Sequence, residues 1–173
     1  TGQAQTLVAA GTAEGGEMQY SLDGQTYAKE LPTAVNAGSY TVFYKVVGDA
    51  NHNDVAPAFI NVAIYKAALT NVLLEESTLT YNQQEQTALV SYVNAGTIVV
   101  PATSYDVEGN KATNVGNYEA NMTGKGNFKG EVKVQWSIVA ANAQLFDITL
   151  GTTEYTYDGT AKKPTVTVKD GTK

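Results

Sequence analysis

Cysteine is absent from the 173-residue chain. That excludes disulfides, thiol nucleophiles, thiolate zinc sites and iron–sulfur clusters together. Arginine is absent as well: all 11 basic residues are lysine, against 17 acidic ones, for a net charge of −6. Arginine forks carry most phosphate and guanine recognition, so no nucleic-acid partner is expected. Histidine occurs once, at His52, too few for a multi-histidine metal centre and a poor start for a serine–histidine triad. No apolar run approaches the ~18 residues of a membrane-spanning helix, so this segment is not expected to insert into a bilayer. With 43% hydrophobic and only 16% charged residues, the chain can nevertheless build cores, and it is no disordered acidic tail.

What is present is self-similarity, the feature to look for first. At an offset of 76, as from Leu69 to Leu145, Leu69-Thr70-Asn71-Val72-Leu73-Leu74 meets Leu145-Phe146-Asp147-Ile148-Thr149-Leu150. At the same offset Leu79-Thr80-Tyr81-Asn82 meets Tyr155-Thr156-Tyr157-Asp158, and the first residues, through Gln5-Thr6, echo the stretch ending Gln86-Thr87. Two later anchors repeat at nearly that spacing: Asn36-Ala37-Gly38-Ser39-Tyr40 with Asn114-Val115-Gly116-Asn117-Tyr118, and Gly48 to His52 with Gly124 to Phe128. Three units are therefore expected: 1–68, lacking its first strand; 69–144, complete; and 145–173, the opening part of a third. The chain reads as a piece of a longer array.

Within a unit the hydrophobic period is two, the signature of half-buried strands. Tyr40, Val42, Tyr44 and Val46 share one face, as do Tyr118, Ala120 and Met122, and Val132, Val134, Trp136 and Ile138. Met18, Tyr20 and Leu22 make a further strand ended by Asp23-Gly24, a strong turn signal. No stretch sustains an amphipathic helix, and Tyr65 to Glu76 reads as a short linker running into a strand. Six or seven short strands per unit predict an all-β fold of small immunoglobulin-like sandwiches in tandem. A β-grasp unit is the alternative, weakened by the missing helix.

Two signatures carry a family likeness. One is an aromatic-turn opening, Tyr157-Asp158-Gly159-Thr160-Ala161-Lys162, degenerate as Tyr81-Asn82-Gln83-Gln84-Glu85-Gln86. The other is Asn-x-Gly-x-Tyr leading into a long strand and followed by a Gly-x-x-Asn-aromatic turn. In order and spacing they resemble the tandem immunoglobulin-like repeats of large bacterial surface and secreted proteins. The resemblance implies a non-catalytic stalk, spacer or adhesive module at the cell surface or outside it, with no cofactor. The partners it implies are neighbouring repeats, with a glycan or a surface protein beyond them. His52 stands at the aromatic position of the first unit's turn, a departure from the pattern.

Candidate sites are few. Asp49, Asn51, Asn53 and Asp54 alternate oxygen ligands as a calcium loop does, but lack its glycine and its distal bidentate glutamate. Gly124 to Gly130 is glycine-rich like a phosphate-cradling loop, yet strands flank it on both sides, so it reads as a turn. Glu75 and Glu76 would point to opposite faces of a strand, while Asp106 and Glu108 share a face beside a turn, so a glycosidase pair is not expected. Exposed tyrosines could stack on sugar rings, and Tyr27 and Tyr105 are the candidates for an alternative function, recognition of carbohydrate or a host protein. Trp136, in phase with Val134 and Ile138, is expected to be buried. Tyr40 and Tyr118 occupy the position of a corner tyrosine bonded to backbone. Finally, strand-like runs at 146–150, 154–157 and 165–169 cannot bury their apolar residues alone. Head-to-tail association, with 146–157 entering the vacancy left in the first unit of another copy, is expected.

Overall fold

The computed structural model describes residues 1–142 and 146–170. The expected boundary at 144/145, with the anchor Leu145, lies outside them. The first strands are β1 (Gln5–Thr6), β2 (Gly16–Ser21), β3 (Thr33–Ala34), β4 (Gly38–Gly48) and β5 (Val55–Ile64). Next come β6 (Ala67–Ala68), β7 (Asn71–Leu74), β8 (Thr78–Thr80), β9 (Gln86–Thr87), β10 (Val90–Ala95) and β11 (Ile98–Val99). A 3-10 turn at Ala102–Ser104 precedes β12 (Tyr105–Glu108), β13 (Lys111–Ala112), β14 (Gly116–Gly124), β15 (Phe128–Lys129) and β16 (Glu131–Val139). The last two strands are β17 (Phe146–Leu150) and β18 (Val166–Asp170). The protein is all-β and sandwich-like, with no α-helix among the described residues, so a β-grasp has nothing to lay across its sheet.

Two separate cores form. Leu7, Tyr20 and Val42 centre the smaller one. The larger gathers Leu69, Val72, Leu74, Val93, Met122, Trp136 and Ile138 with their neighbours. It lies between the sheet β12-β14-β16-β8 and the sheet β11-β10-β7. The alternation read from the sequence explains why. On β14 and β16, Tyr118 faces Trp136, Ala120 faces Val134 and Met122 faces Val132 across the ladder. The opposite, wet face carries Glu119, whose carboxylate accepts from Lys133 Nζ at 2.7 Å and Gln135 Nε2 at 2.9 Å. Those contacts hold the Glu119 carboxyl below its ordinary range, the lysine bond being the main cause.

Trp136 is 2% exposed. Its Nε1–H donates to the Gly109 carbonyl at 3.0 Å, and its ring lies 4.8 Å from that of Tyr118. The Tyr118 hydroxyl donates to the Asn114 carbonyl at 2.6 Å, and the Tyr40 hydroxyl does the same to Asn36, also at 2.6 Å. Asn-x-Gly-x-Tyr is thus a corner in which the ring folds back over its own approach. A Cβ on Gly116 would stand 3.2 Å from the Tyr118 hydroxyl, so the glycine leaves room for the ring. In the Gly48 to His52 turn the chain returns so closely that a Cβ on Gly48 would meet the His52 carbonyl at 2.0 Å.

Two expected strands differ. Leu22 does not continue β2: it is 47% exposed, because the Ser21 side chain closes the strand by capping the turn. Ser21 Oγ donates to Asp23 Oδ1 at 2.7 Å and accepts from the Gly24 amide at 3.0 Å. The run 154–157 is not a strand at all. Its sequence counterpart around Leu79 is a strand because β8 pairs in parallel with β16 at Ser137–Val139. Among the described residues no strand pairs with 154–157.

Trp136→Ala should cost about 3–5 kcal/mol, the cost of emptying a large aromatic site, and Tyr118→Phe about 1 kcal/mol for the lost corner bond. Denaturant titration followed by tryptophan fluorescence for Tyr118→Phe and by circular dichroism for Trp136→Ala reads both. Asp23 supplies a pH test. The Ser21 hydroxyl, then the Gln25 and Thr26 amides, hold its carboxyl well below the usual range. A depressed carboxyl stabilises above its unfolded value of about 3.9, and the contribution is lost as pH falls through the folded one. The Tm gap between wild type and Asp23→Asn should therefore be constant near neutrality and shrink on acidification below that value.

Candidate functional site

The best-defined polar constellation lies where the first core's elements meet the second's. The Asn36-Ala37 corner, held by Tyr40, presents a backbone amide and a side-chain carbonyl. Facing it is Asn127, at the tip of the turn joining β14 to β15. Asn127 Oδ1 accepts from the Ala37 amide at 2.9 Å, and Asn127 Nδ2 donates to Asn36 Oδ1 at 2.9 Å. An asparagine amide offers one acceptor and two donors on one short arm, so a single residue meets both groups.

The same turn grips the connecting segment. The Asn127 carbonyl accepts from the Ala67 amide at 3.0 Å and the Lys129 carbonyl from the Leu69 amide at 2.9 Å. β6 thereby runs parallel to β15, with Ala67 opposite Phe128. A cleft of about 360 Å³ lies beside this joint, lined among others by Val35, Ile64, Tyr65, Ile98 and Phe128. Its chemistry is that of a seam: apolar side chains mixed with the uncharged polar ones of Thr1, Gln3, Ser104 and Asn127, and no carboxylate, lysine or histidine among the described residues of its lining.

The calcium candidates sit on the β4–β5 turn. Asp49 Oδ1 accepts from the Asn51 amide at 2.8 Å and meets His52 Nδ1 at 2.7 Å. The histidine contact, then the Asn51 amide, hold the Asp49 carboxyl below its ordinary range. Asp54 Oδ1 accepts from the Gly48 amide at 2.8 Å. In the β14–β15 turn the corresponding amide, Gly124, is met by the Gly130 carbonyl at 2.9 Å. Asp54 therefore does the work that a backbone carbonyl does in the other turn. No cluster of three or more histidine or acidic residues is assembled among the described residues. His52 finds its role here too, as Asp49's partner in a turn where Phe128 is instead buried in the core.

The tyrosine candidates separate. Tyr105 is 9% exposed and belongs to the larger core. Its expected exposure is corrected: β12 pairs with β14 over Tyr105–Gly124 and turns the ring inward. Tyr27 is half-buried, with Lys45 Nζ 4.5 Å above its ring, so one face is already taken by a cation. Tyr20, on β2, is buried, and its hydroxyl accepts from the Gly11 amide at 2.6 Å. Of the other acids, Asp106 pairs with Lys125. The joint residue Asn127 was missed as a site, although Asn in both Gly-x-x-Asn-aromatic turns was the signal for it.

Asn127→Ala removes two side-chain bonds at the joint and leaves Phe128 seated in the core. Each bond carries about 0.5–1.5 kcal/mol, so folding should survive while the joint loosens. Spin labels at Lys29→Cys and Lys111→Cys report this: the distance distribution between them should broaden in Asn127→Ala, and an unchanged width would show that the joint does not depend on Asn127. Neither a protein-family model nor a curated protein matches this chain.

Proposed function

We propose that the chain is a non-catalytic spacer: a run of like β-sandwich units (1–68, 69–144 and the opening part, 145–173, of another) from a modular surface or secreted protein. The Asn127 joint carries this reading. It is built from the Asn-x-Gly-x-Tyr corner, which occurs twice, and the Gly-x-x-Asn-aromatic turn, which the first unit repeats with His52 at the aromatic position. One copy of each meets across the boundary at 2.9 Å.

Two further correspondences support a repeat. The sheet order β2-β4-β5 parallels β12-β14-β16, and the small pair β1-β3 parallels β9-β13. Tyr40 and Tyr118 make the same corner bond at the same distance. A connection of seven residues between Ile64 and Val72, without glycine or proline and hydrogen-bonded to the following turn, is too short and too engaged to act as a free tether. A spacer needs this property, since a fixed joint transmits position where a flexible one would absorb it. The extracellular setting rests on the family resemblance, and a neutral, cysteine-free core with an acidic surface is compatible with it.

Small-angle scattering of the whole chain tests the proposal. An extended particle whose maximum dimension is unchanged by salt is expected. A compact particle with the first two units side by side would overturn the spacer reading. A glycan array on the same protein is expected to give no saturable binding. Saturable binding abolished by Tyr27→Ala would replace the spacer with the carbohydrate-binding alternative.

A further inference from the structure

The first two units differ on the outer side of their long ladders. Register places Gly38 opposite Ile64 and Gly116 opposite Ile138, and from those matching ends Phe43 pairs with Phe59 where Asn121 pairs with Lys133. Val42 and Ala120, the residues just before, are fully buried, so alternation turns these two pairs away from the cores. Around Asn121 and Lys133 the outer side is wet, with Glu119 bonded to Lys133 and Gln135. Around Phe43 and Phe59 it carries two phenyl rings 6.1 Å apart, and Phe59 is 62% exposed. Two residues along β4 from Phe43, Lys45 lies over the Tyr27 ring, and among the described residues no carboxylate pairs with it. The same side is open to water in residues 69–139, whose sheets are fully paired, so further units of an array would not cover it.

A second apolar patch has the same layout and the opposite charge. On the sheet β11-β10-β7, Val72 and Val93 pair facing the core, so the adjoining pair, Leu73 and Tyr92, looks outward. The Glu75 amide donates to the Leu89 carbonyl at 2.8 Å, which sets Leu89 beside Glu75 one step further along the same side. Leu73 is 48% and Leu89 55% exposed, Tyr92 is half-buried and Glu75 is exposed. Glu75, too, has no ion-pair partner among the described residues. Thr149 takes the place of Leu73 in the third unit, so this patch, like the phenyl pair, belongs to one unit and not to the repeat. Glu75 follows Leu73 by two residues as Lys45 follows Phe43, a step of about 6.8 Å on either strand.

We propose that the outer face of Phe43 and Phe59 in one copy packs on the outer face of Leu73 and Tyr92 in a second copy. With β4 laid along β7 in the same direction, the phenyl rings cover Leu73 and Tyr92, and the Lys45 ammonium meets the Glu75 carboxylate. Sheets stack face to face in this way, with strands aligned to within about 30° and roughly 10 Å between layers. The rings supply the apolar burial and the charge pair sets the direction, since reversing one sheet would carry Lys45 to Asn71 and leave Glu75 without a cation. A net charge of −6 opposes indiscriminate association of copies, whereas here a cation stands opposite an acid. The two faces differ, so the contact is heterologous and builds chains or closed rings. It joins sheet faces and uses neither end of the chain. The proposal rests on the repeat reading in one respect, the correspondence of positions that marks both patches as peculiar to their units.

Sedimentation velocity of the whole chain into the high micromolar range is the test, with circular dichroism to confirm folding. Wild type should associate progressively with concentration. Phe59→Lys, which gives β5 the residue that β16 carries at that place, and Leu73→Lys should each weaken association at least about tenfold. Mixed together, these two variants retain one intact face of each kind and should form a 1:1 pair. Lys45→Glu alone and Glu75→Lys alone should also weaken association, and the double variant should recover it. A monomeric wild type, a Leu73→Lys protein that associates as wild type does (the result if the phenyl face packs on itself), a mixture that gives no pair, or a charge swap without recovery would each overturn the proposal. If Phe59→Lys or Leu73→Lys fails to fold, the charge swap, which leaves both cores intact, decides by the same criterion. Scattering on dilute, monomeric protein reads the spacer separately, so failure of the contact and failure of the spacer reading are distinguishable.

Discussion

Everything in the larger core depends on covering one face of β14 and β16. A pair of nine-residue strands carries a continuous apolar row, Tyr118, Ala120 and Met122 against Val132, Val134, Trp136 and Ile138. Burying that row provides the main stabilisation available to a domain without disulfides. A single antiparallel ladder cannot bury its own face, so a second layer is obligatory. β7 and β10 form that layer, and β8 closes the edge. The tyrosine corner, the indole bond to Gly109 and the close glycine contacts then fix how the layers meet at their ends.

Asn127 links that core to what precedes it by using its two chemical halves separately. Its backbone carbonyl holds the connecting segment and its side-chain amide holds the corner of the earlier element. The orientation of the joint is therefore tied to the turn, and the turn to the core through Phe128, which is buried next to it. No charged group takes part in the Asn127 bonds, so salt screening leaves them untouched.

Much of this was legible in the sequence because it follows from local periodicity and short-range bonds. The alternation over 40–46, 118–122 and 132–138 placed the long strands, and the corner tyrosines reach back only four residues. Trp136 declared its burial by its phase with Val134 and Ile138. What the sequence concealed depends on contacts between distant segments. Tyr105 has the same local look as an exposed aromatic, and only its pairing with the end of β14 buries it. The run 154–157 has strand composition, but a strand also needs an edge, and composition cannot supply one. At Asp49 to Asp54 the oxygen-rich pattern was real and its purpose different, since the carboxylates serve the amides and the histidine of their own turn. The joint was hidden in plain view, as an asparagine present in both turns.

The parallel pairing of β6 with β15 and of β8 with β16 has a mechanical consequence. Each pair joins a strand near the start of residues 67–139 to one near their end, both running the same way. Tension applied to the two ends of this segment pulls the members of each pair in opposite directions along their length. Their hydrogen bonds are then loaded in shear and share the force, instead of opening one after another as a hairpin pulled from its open end does. Residues 67–139 thus resist stretching through a few short clamps near the ends, while the antiparallel ladders between them stay out of the load path until those clamps yield.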